Sequence, residues 1–417
     1  MGSAASPILI IGGGLGGLCL AQGLRQAGAP FHVYERDPDA AWRPQGYRLR
    51  LNGEGANALK EALTADLWER FQKTCSMTEL GETDINAADG SILACRAGGS
   101  PTMKGLKPYT CDRKVLRDIL LTGLDGSITY GKELIRYDVG EEDDGRPVVA
   151  HFKDGSSALG CFLIGADGKG SATRRQYLPD QCPLDTEGTC IYGKTLMTPD
   201  LIKSFPAHAM RWMTLVVDRT PITQRLDVDE SAVTLLLEPI RFPKNKNTEL
   251  DKYMPADYMY WVLIARTSMF ELPAHVVHTS SCTGEDAAAL SLRMTECWDA
   301  SIRSLLLLQD TSQSSVLRVL TADPNMAPWK PSAKVTLIGD AIHSMSPAGG
   351  VGAVTALVDG ANLAKVITKQ GISVESIGEF EKSMREFAAM NIRRSYKGGK
   401  MLFGQRPFEE CNQYREE

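Results

Sequence analysis

The chain has 417 residues, of which 43% are hydrophobic and 23% charged, and a formal net charge of −5. These proportions fit a globular protein of two or three domains and leave no basic surplus to hold a nucleic-acid backbone or an anionic membrane surface. No apolar run approaches the ~18 residues of a membrane span, and the ten cysteines show no CxxC pair, which argues against zinc ribbons and redox pairs.

Ile8 to Ile11 is a short apolar strand, followed by Gly12-Gly13-Gly14-Leu15-Gly16-Gly17 and an apolar helical pattern to about Ala27, closed by Gly28. Phe31 to Tyr34 then reads as a second strand ending in Glu35-Arg36-Asp37, so the chain opens with a βαβ unit. An exposed loop from Asp39 leads to a short strand at Leu49 to Leu51, and a helix is expected from about Gly55 to Phe71. Asp89-Gly90 marks a hairpin turn, and Asp112 is placed to cap a helix beginning at Arg113. Lys132–Val139, Val148–Phe152 and Leu159–Ile164 read as an antiparallel meander with turns at Asp143-Asp144-Gly145 and Lys153-Asp154-Gly155. Runs at Arg211–Val217, Ser231–Leu237 and Tyr258–Arg266 suggest a second, mostly antiparallel sheet. Helices are expected over Asp286–Leu308 and Ile377–Met401. Cys19 and Cys161 lie in apolar runs, where a thiol acts as a small hydrophobe, and no signal peptide is read, so a reducing, cytoplasmic setting is expected.

Gly12-x-Gly14-x-x-Gly17 follows a strand and opens a helix, and each glycine has a task there. Gly12 permits the tight turn, Gly14 lets the backbone approach a pyrophosphate, Gly17 allows close helix packing, and the helix N-terminus favours phosphate charge. Glu35 is placed to accept from a ribose 2′-OH and repels a 2′-phosphate, which favours the adenosine of FAD or NAD over NADP. Over 300 residues on, Val335–Ile338 runs into Gly339-Asp340, a Pro/Gly-rich loop and a helix from about Val354. That segment offers a carboxylate, backbone N–H groups and a helix N-terminus. A dinucleotide needing hydroxyl contacts along a ribityl chain fits FAD better than NAD. Asp340 and His343 lack a third metal ligand at suitable spacing, so no metal is expected.

With these residues in order, the chain resembles the class A flavoprotein monooxygenases of the para-hydroxybenzoate hydroxylase, salicylate hydroxylase and tetracycline-oxidising kind. The matching motifs are the N-terminal fingerprint, a DG motif at Leu163-Ile164-Gly165-Ala166-Asp167-Gly168, a GD motif at Leu337-Ile338-Gly339-Asp340-Ala341-Ile342-His343, and an Arg-x-x-Leu helix start at Arg113 to Leu116. The resemblance implies an α/β fold: a Rossmann-type FAD-binding domain built from a discontinuous chain, a mostly antiparallel substrate domain and a C-terminal helix. The expected division is 1–75, 101–180 and 326–370 for the FAD domain, 76–100 and 181–325 for the substrate domain, and 371–417 for the C-terminal helix.

The same resemblance implies that Gly12, Gly14, Leu15, Gly17, Glu35 and Arg36 hold the adenosine diphosphate part of FAD. It places Arg113 against the ribose or pyrophosphate, Asp167 on FAD and pyridine nucleotide indirectly, and Asp340 on a ribityl or pyrophosphate-side contact. Gly350, Val351, Gly352 and Ala353 would give backbone N–H groups to the flavin, Pro347 would lie at its reactive edge, and Arg43 or Arg48 sits in a flavin-contacting loop. Val354 stands where the family usually has Asn, and Gly360 where it has Ala. The implied reaction takes NAD(P)H and O₂, forms a flavin C4a-hydroperoxide and hydroxylates an aromatic, polyketide- or alkaloid-like small molecule of specialised metabolism, by a monomer or homodimer. Epoxidation or Baeyer–Villiger insertion shares the fold, and a flavin oxidase or dehydrogenase is the alternative of another class. Tyr192, His208, Arg211, Trp212, Tyr258 and Tyr260 lie in the expected substrate sheet and could supply a base, an anchor or a stacking surface, with Arg211, as a cation, and Tyr258 the candidate catalytic residues.

Overall fold

The computed structural model describes residues 6–40, 42, 47–77, 79–98, 108–140, 146–218, 233–243, 254–272 and 281–415. Arg43 and the turn at Asp143-Asp144-Gly145 lie outside them. A five-stranded parallel sheet runs in the order Val335–Leu337, Phe162–Gly165, Ile8–Ile11, Phe31–Tyr34, Ile128–Thr129. Its central strands are continuous apolar runs because both faces are covered. Ile8, Leu9, Ile10 and Ile11 alternate between the helix-covered core and a smaller cluster shared with Val148–Phe152.

The helix Leu15–Gln26 crosses this sheet and packs along Gly352–Gln370. Gly16 lies against Ala356 and Gly23 against Ala364, so the two helices run parallel and start at the same end of the sheet. Sequence periodicity merges two pairs of helices that the structure separates. Gly53–Ala62 and Ala65–Thr74 break at Leu63-Thr64, where the Thr64 hydroxyl caps the second helix, and Gly284–Met294 and Ala300–Leu307 break before a cap at Asp299. The expected strand Leu159–Ile164 also divides. Ser157–Gly160 completes a three-stranded antiparallel sheet with Val148–Phe152 and Leu134–Asp138, while Phe162–Gly165 enters the parallel one.

The second large sheet has Leu184–Leu196 paired antiparallel with both Tyr258–Arg266 and Ser315–Thr321. Tyr258–Arg266 in turn pairs with Val233–Ile240, which pairs with Met213–Asp218. Met213–Asp218 joins in parallel to the hairpin Gly81–Asn86 and Ile92–Ala97, so the sheet is mixed, though mostly antiparallel. Alternation assigns its faces. Ile191, Met259, Trp261, Leu263, Leu235 and Val216 point to one side, under the helices that carry Leu290 and Leu305. Cys190, Tyr192, Tyr258, Tyr260, Leu236 and Leu215 point to the other, toward Ala348, Leu402, Phe403 and Tyr47. That second face turns the sheet toward the strand-end loops of the parallel sheet.

The C-terminal helix Val374–Phe403 spans both layers. It begins at a Ser373/Ser376 capping box, rests Ile377, Phe380 and Met384 in the Rossmann-side core, and ends with Phe403 against Gly188 of the substrate sheet. Among the described residues no helix is long and apolar enough to cross a membrane.

Candidate functional site

The carboxyl ends of the parallel strands, where open α/β sheets carry ligands, are lined by the singled-out turns. Gly12 has φ +111°, outside the range of ordinary side chains, and a Cβ there would meet the Ala166 carbonyl. A Cβ on Gly17 would strike the Gly12 carbonyl, whereas one on Gly14 would meet nothing within 4 Å, so the loop is open at the position meant for close backbone approach. Glu35 is buried, and its Oε2 accepts from the Gly13 N–H at 2.6 Å and its Oε1 from the Asp37 N–H at 2.9 Å. A carboxylate has about four acceptor positions, so Glu35 can grip this loop and still accept from sugar hydroxyls. Arg36 next to it is exposed.

The DG motif is held by its own aspartate. Asp167 accepts from the Ser171 hydroxyl at 2.5 Å and from the Thr173 N–H and hydroxyl at 3.1 Å each, fixing the turn that starts the helix Ala172–Tyr177. From that helix the Arg174 guanidinium donates to the Ala341 carbonyl at 2.9 Å, tying the DG turn to the GD turn.

At the GD motif, Asp359 Oδ2 accepts from the Gly339 N–H at 2.9 Å and lies 2.5 Å from His343 Nε2. Burial alone would depress the His343 imidazole, but the Asp359 carboxylate outweighs it and holds its pKa above the usual value. His343 and Asp359 brace the turn. Among the described residues no group of three or more His, Cys, Asp or Glu could hold a metal ion. Asp340 is an exposed residue at the start of this turn; desolvation raises its pKa, opposed by the fields of His343, Lys169 and Arg113.

Beyond it, Pro347–Gly349 forms one turn, Gly350 has φ +63°, and Gly352–Gln370 begins with no side-chain cap. The first-turn N–H groups of Gly352 and Ala353, behind Val351, therefore have no intrahelical acceptor. Val354 turns inward, buried against Gly55. Two parallel helices thus aim their N-termini, with about half a positive charge each, at one cleft. A dinucleotide fits this arrangement: an open glycine turn for its pyrophosphate, Glu35 for its ribose, and Asp340 with a free helix start at its far end.

The roof over this cleft is the aromatic face of the second sheet. Tyr47 stacks on Tyr192 with centroids 5.2 Å apart, Tyr192 lies 6.3 Å from Tyr260, and the Arg113 guanidinium is 5.4 Å from the Tyr47 ring. Burial pushes the Tyr260 phenol well up, so it remains neutral. The two candidates for catalysis are not brought to this face together. Arg211 is 62% exposed, paired with Glu79 at 3.2 Å and laid over Trp212, while His208 sits in a short turn before it. Tyr258 is buried with its hydroxyl donating to Asp112 Oδ2 at 2.9 Å, and burial raises its pKa well above normal, which suits a fixed donor rather than a base.

Sequence reasoning names Arg48 as a flavin contact and Asp112 as a helix cap but misses the charged residues that hold them, Glu238 and Lys194, and Arg50 beside them. Arg48 and Arg50 both pair with Glu238, and Lys194 lies 3.2 Å from Asp112 Oδ2. Lys194, Tyr260 and Glu238 occupy one row across three neighbouring strands. The signal that could have found Lys194 is the alternation of Cys190, Tyr192 and Lys194 against Ile191, Gly193 and Thr195.

Comparison with known proteins gives matches at both halves of the cleft. Residues 301–371 match the FAD binding domain family and residues 10–61 the NAD(P)-binding Rossmann-like domain family. The chain is 45% identical, over 97% of its length, to the dual O-methyltransferase/FAD-dependent monooxygenase elcB of Phaeosphaeria nodorum, covering 47% of that protein. It is 44% identical, over 99% of its length, to the dual O-methyltransferase/FAD-dependent monooxygenase CTB3 of Cercospora beticola, covering 48% of it. The chain therefore spans about half the length of these curated relatives. Among solved structures, a putative FAD-containing monooxygenase from Photorhabdus luminescens superposes with TM-score 0.76 at 29% identity, over 95% of this chain and 99% of that one.

Proposed function

The chain belongs to the class A FAD-dependent monooxygenases, and from that membership we propose that it hydroxylates an aromatic, polyketide-like small molecule of fungal secondary metabolism, using NAD(P)H and O₂. The observation that carries the proposal is the pairing of a dinucleotide cleft with an aromatic sheet face across it, with Ala348 of the Pro347–Gly349 turn packed against the apolar cluster of that face. Bound FAD supplies the electron transfer from NAD(P)H and the activation of O₂.

The residues divide that work. Glu35, Gly12, Gly14, Leu15, Gly17 and Arg36 hold the adenosine end, Arg113 and Asp340 the middle, and the N–H groups of Val351, Gly352 and Ala353 the flavin end, while the Gly350 N–H is taken by the Pro347 carbonyl at 2.9 Å and shapes the turn. Asp167 acts through the turn it braces. Tyr47 and Tyr192 offer a flat stacking surface for a planar ring, worth roughly 0.5–1.5 kcal/mol per aromatic pair beyond area burial. Tyr260, kept neutral by burial, donates to a substrate oxygen. The apolar face around Leu215, Leu236 and Val262 keeps water from the reacting ring.

The names of the relatives couple an O-methyltransferase with a monooxygenase. Hydroxylation of an aromatic ring creates the phenolic oxygen that an O-methyltransferase uses, which supports a phenolic, multi-ring substrate. The test is aerobic incubation of the yellow holoprotein with NADPH or NADH and a panel of hydroxynaphthalenes and hydroxyanthraquinones. Ring-dependent NAD(P)H consumption with a hydroxylated product is the expected result; consumption independent of every ring compound would overturn the substrate class.

A further inference from the structure

Asp112 divides its carboxylate between two domains. Its Oδ1 accepts from the N–H groups of Lys114 at 2.9 Å and Val115 at 3.3 Å, capping the helix Arg113–Leu121. Its Oδ2 accepts from the Tyr258 hydroxyl at 2.9 Å and the Lys194 ammonium at 3.2 Å, both on the substrate sheet. The carboxylate is 2% exposed and the Lys194 side chain 12% exposed. A buried charge with all its acceptor positions occupied is costly to move, so a capping carboxylate held from behind fixes the direction of the first helical turn.

Arg113 is the first residue of that turn. A second path reaches it from the same strand: its N–H donates to the Tyr47 carbonyl at 2.8 Å, and Tyr47 stacks on Tyr192, two residues before Lys194. The strand Leu184–Leu196 therefore touches the Arg113 turn twice, through Lys194 and Asp112 and through Tyr192 and Tyr47. The ammonium of Lys194 is committed on both sides, to Asp112 and to the face of the Tyr258 ring 3.9 Å away, so it acts through these partners.

We propose that Lys194, through Asp112, is a positioning residue for Arg113, and that this contact couples the substrate sheet to the hold on FAD. The inference rests on Arg113 contacting FAD, and its test separates the two. The dissociation constant of FAD is read from the flavin fluorescence released when holoenzyme is diluted. Lys194→Met should weaken FAD binding about tenfold, the scale of one charge-assisted hydrogen bond. Lys194→Arg should stay near wild type, and Arg113→Ala should weaken binding on its own.

The double variant should be no weaker than Arg113→Ala alone, because Lys194 has nothing left to position. If the two effects multiply, or if Lys194→Met leaves the affinity unchanged while Arg113→Ala lowers it, the positioning role is overturned and Arg113 keeps its own. If Arg113→Ala itself leaves the affinity unchanged, the cofactor role of Arg113 falls and the positioning with it. Should Lys194→Met fail to fold, Tyr258→Phe removes one of the same two bonds and carries the same cycle with a smaller step.

Discussion

Arg48 and Glu238 join the two layers of the molecule: the arginine lies on a strand, Arg48–Leu51, paired with Tyr109–Asp112, and the glutamate lies on the substrate sheet, its side chain 3% exposed. Arg48 and Asp112 are register partners across that two-stranded ribbon. Each is fastened to the same sheet row with opposite polarity, Arg48 to Glu238 and Asp112 to Lys194, on either side of Tyr260. The ribbon docks as a crossed pair of charges, which fixes its register against the sheet.

Removing Glu238 strands two guanidinium groups. Glu238→Ala should lower the unfolding free energy by about 3–5 kcal/mol, the cost of leaving a buried charge uncompensated, as read from urea denaturation. A loss below about 1 kcal/mol would mean that water or Asp112 takes over both arginines.

A second expectation concerns pH. Glu381 is fully buried under the parallel sheet, with the Thr336 hydroxyl on its Oε1 at 2.8 Å, and burial pushes its pKa up to about 7. The fold favours the protonated acid, so this contribution is complete below the unfolded pKa of about 4.5 and is lost as pH rises through about 7. Wild type should lose on the order of 3 kcal/mol between pH 5 and pH 9 from this group. Glu381→Gln should flatten that slope, and parallel pH profiles of melting for both proteins would contradict it.

The close approach of backbone at Gly360 also makes a prediction. A Cβ there would stand 2.5 Å from the Gly16 carbonyl and 2.9 Å from the Leu20 nitrogen, both backbone atoms that cannot swing away. Gly360→Ala should force the helices Leu15–Gln26 and Gly352–Gln370 apart and cost about 1–3 kcal/mol. Because those helices aim both N-termini at the cleft, FAD affinity should fall as well. An unchanged melting temperature would show that the two helices are not in close register.

Asp340→Ala should lower FAD occupancy of the purified protein, measured as the ratio of flavin to protein absorbance. The raised pKa of Asp340 adds a sign: its charge is lost at higher pH than that of an ordinary carboxylate, so wild-type affinity should weaken early in mild acid. The variant should not share that dependence. Full, tightly held flavin in Asp340→Ala would remove the carboxylate from the site.

Short-range signals were the legible ones. The fingerprint from Ile8 to Gly17, the cap at Asp112 and the long C-terminal helix are each specified by residues within a few turns of one another, and the structure has all three. The strand Leu184–Leu196 is not readable in that way. Its sequence, with Asp185, Thr186, Glu187, Gly188 and Gly193, is polar and glycine-rich, and it holds its place through pairing with strands some 70 and 130 residues later. A bulge between Asp185 and Gly188 breaks the alternation further. Missing that strand hides Lys194 and, with it, the link to Asp112. Arg211 reads as a cation in an apolar run, yet it lies ahead of the strand Met213–Asp218, at the end of the turn Ala207–Met210, where it meets Glu79 in solvent instead of the inner face.

The most direct measurement is the source of the oxygen in the product. Holoenzyme turning over a hydroxynaphthalene or hydroxyanthraquinone with NAD(P)H under ¹⁸O₂ should give product carrying one ¹⁸O atom, with none acquired from H₂¹⁸O. Product oxidised by two electrons without ¹⁸O would contradict the monooxygenase account and place the chain's chemistry with flavin oxidases or dehydrogenases.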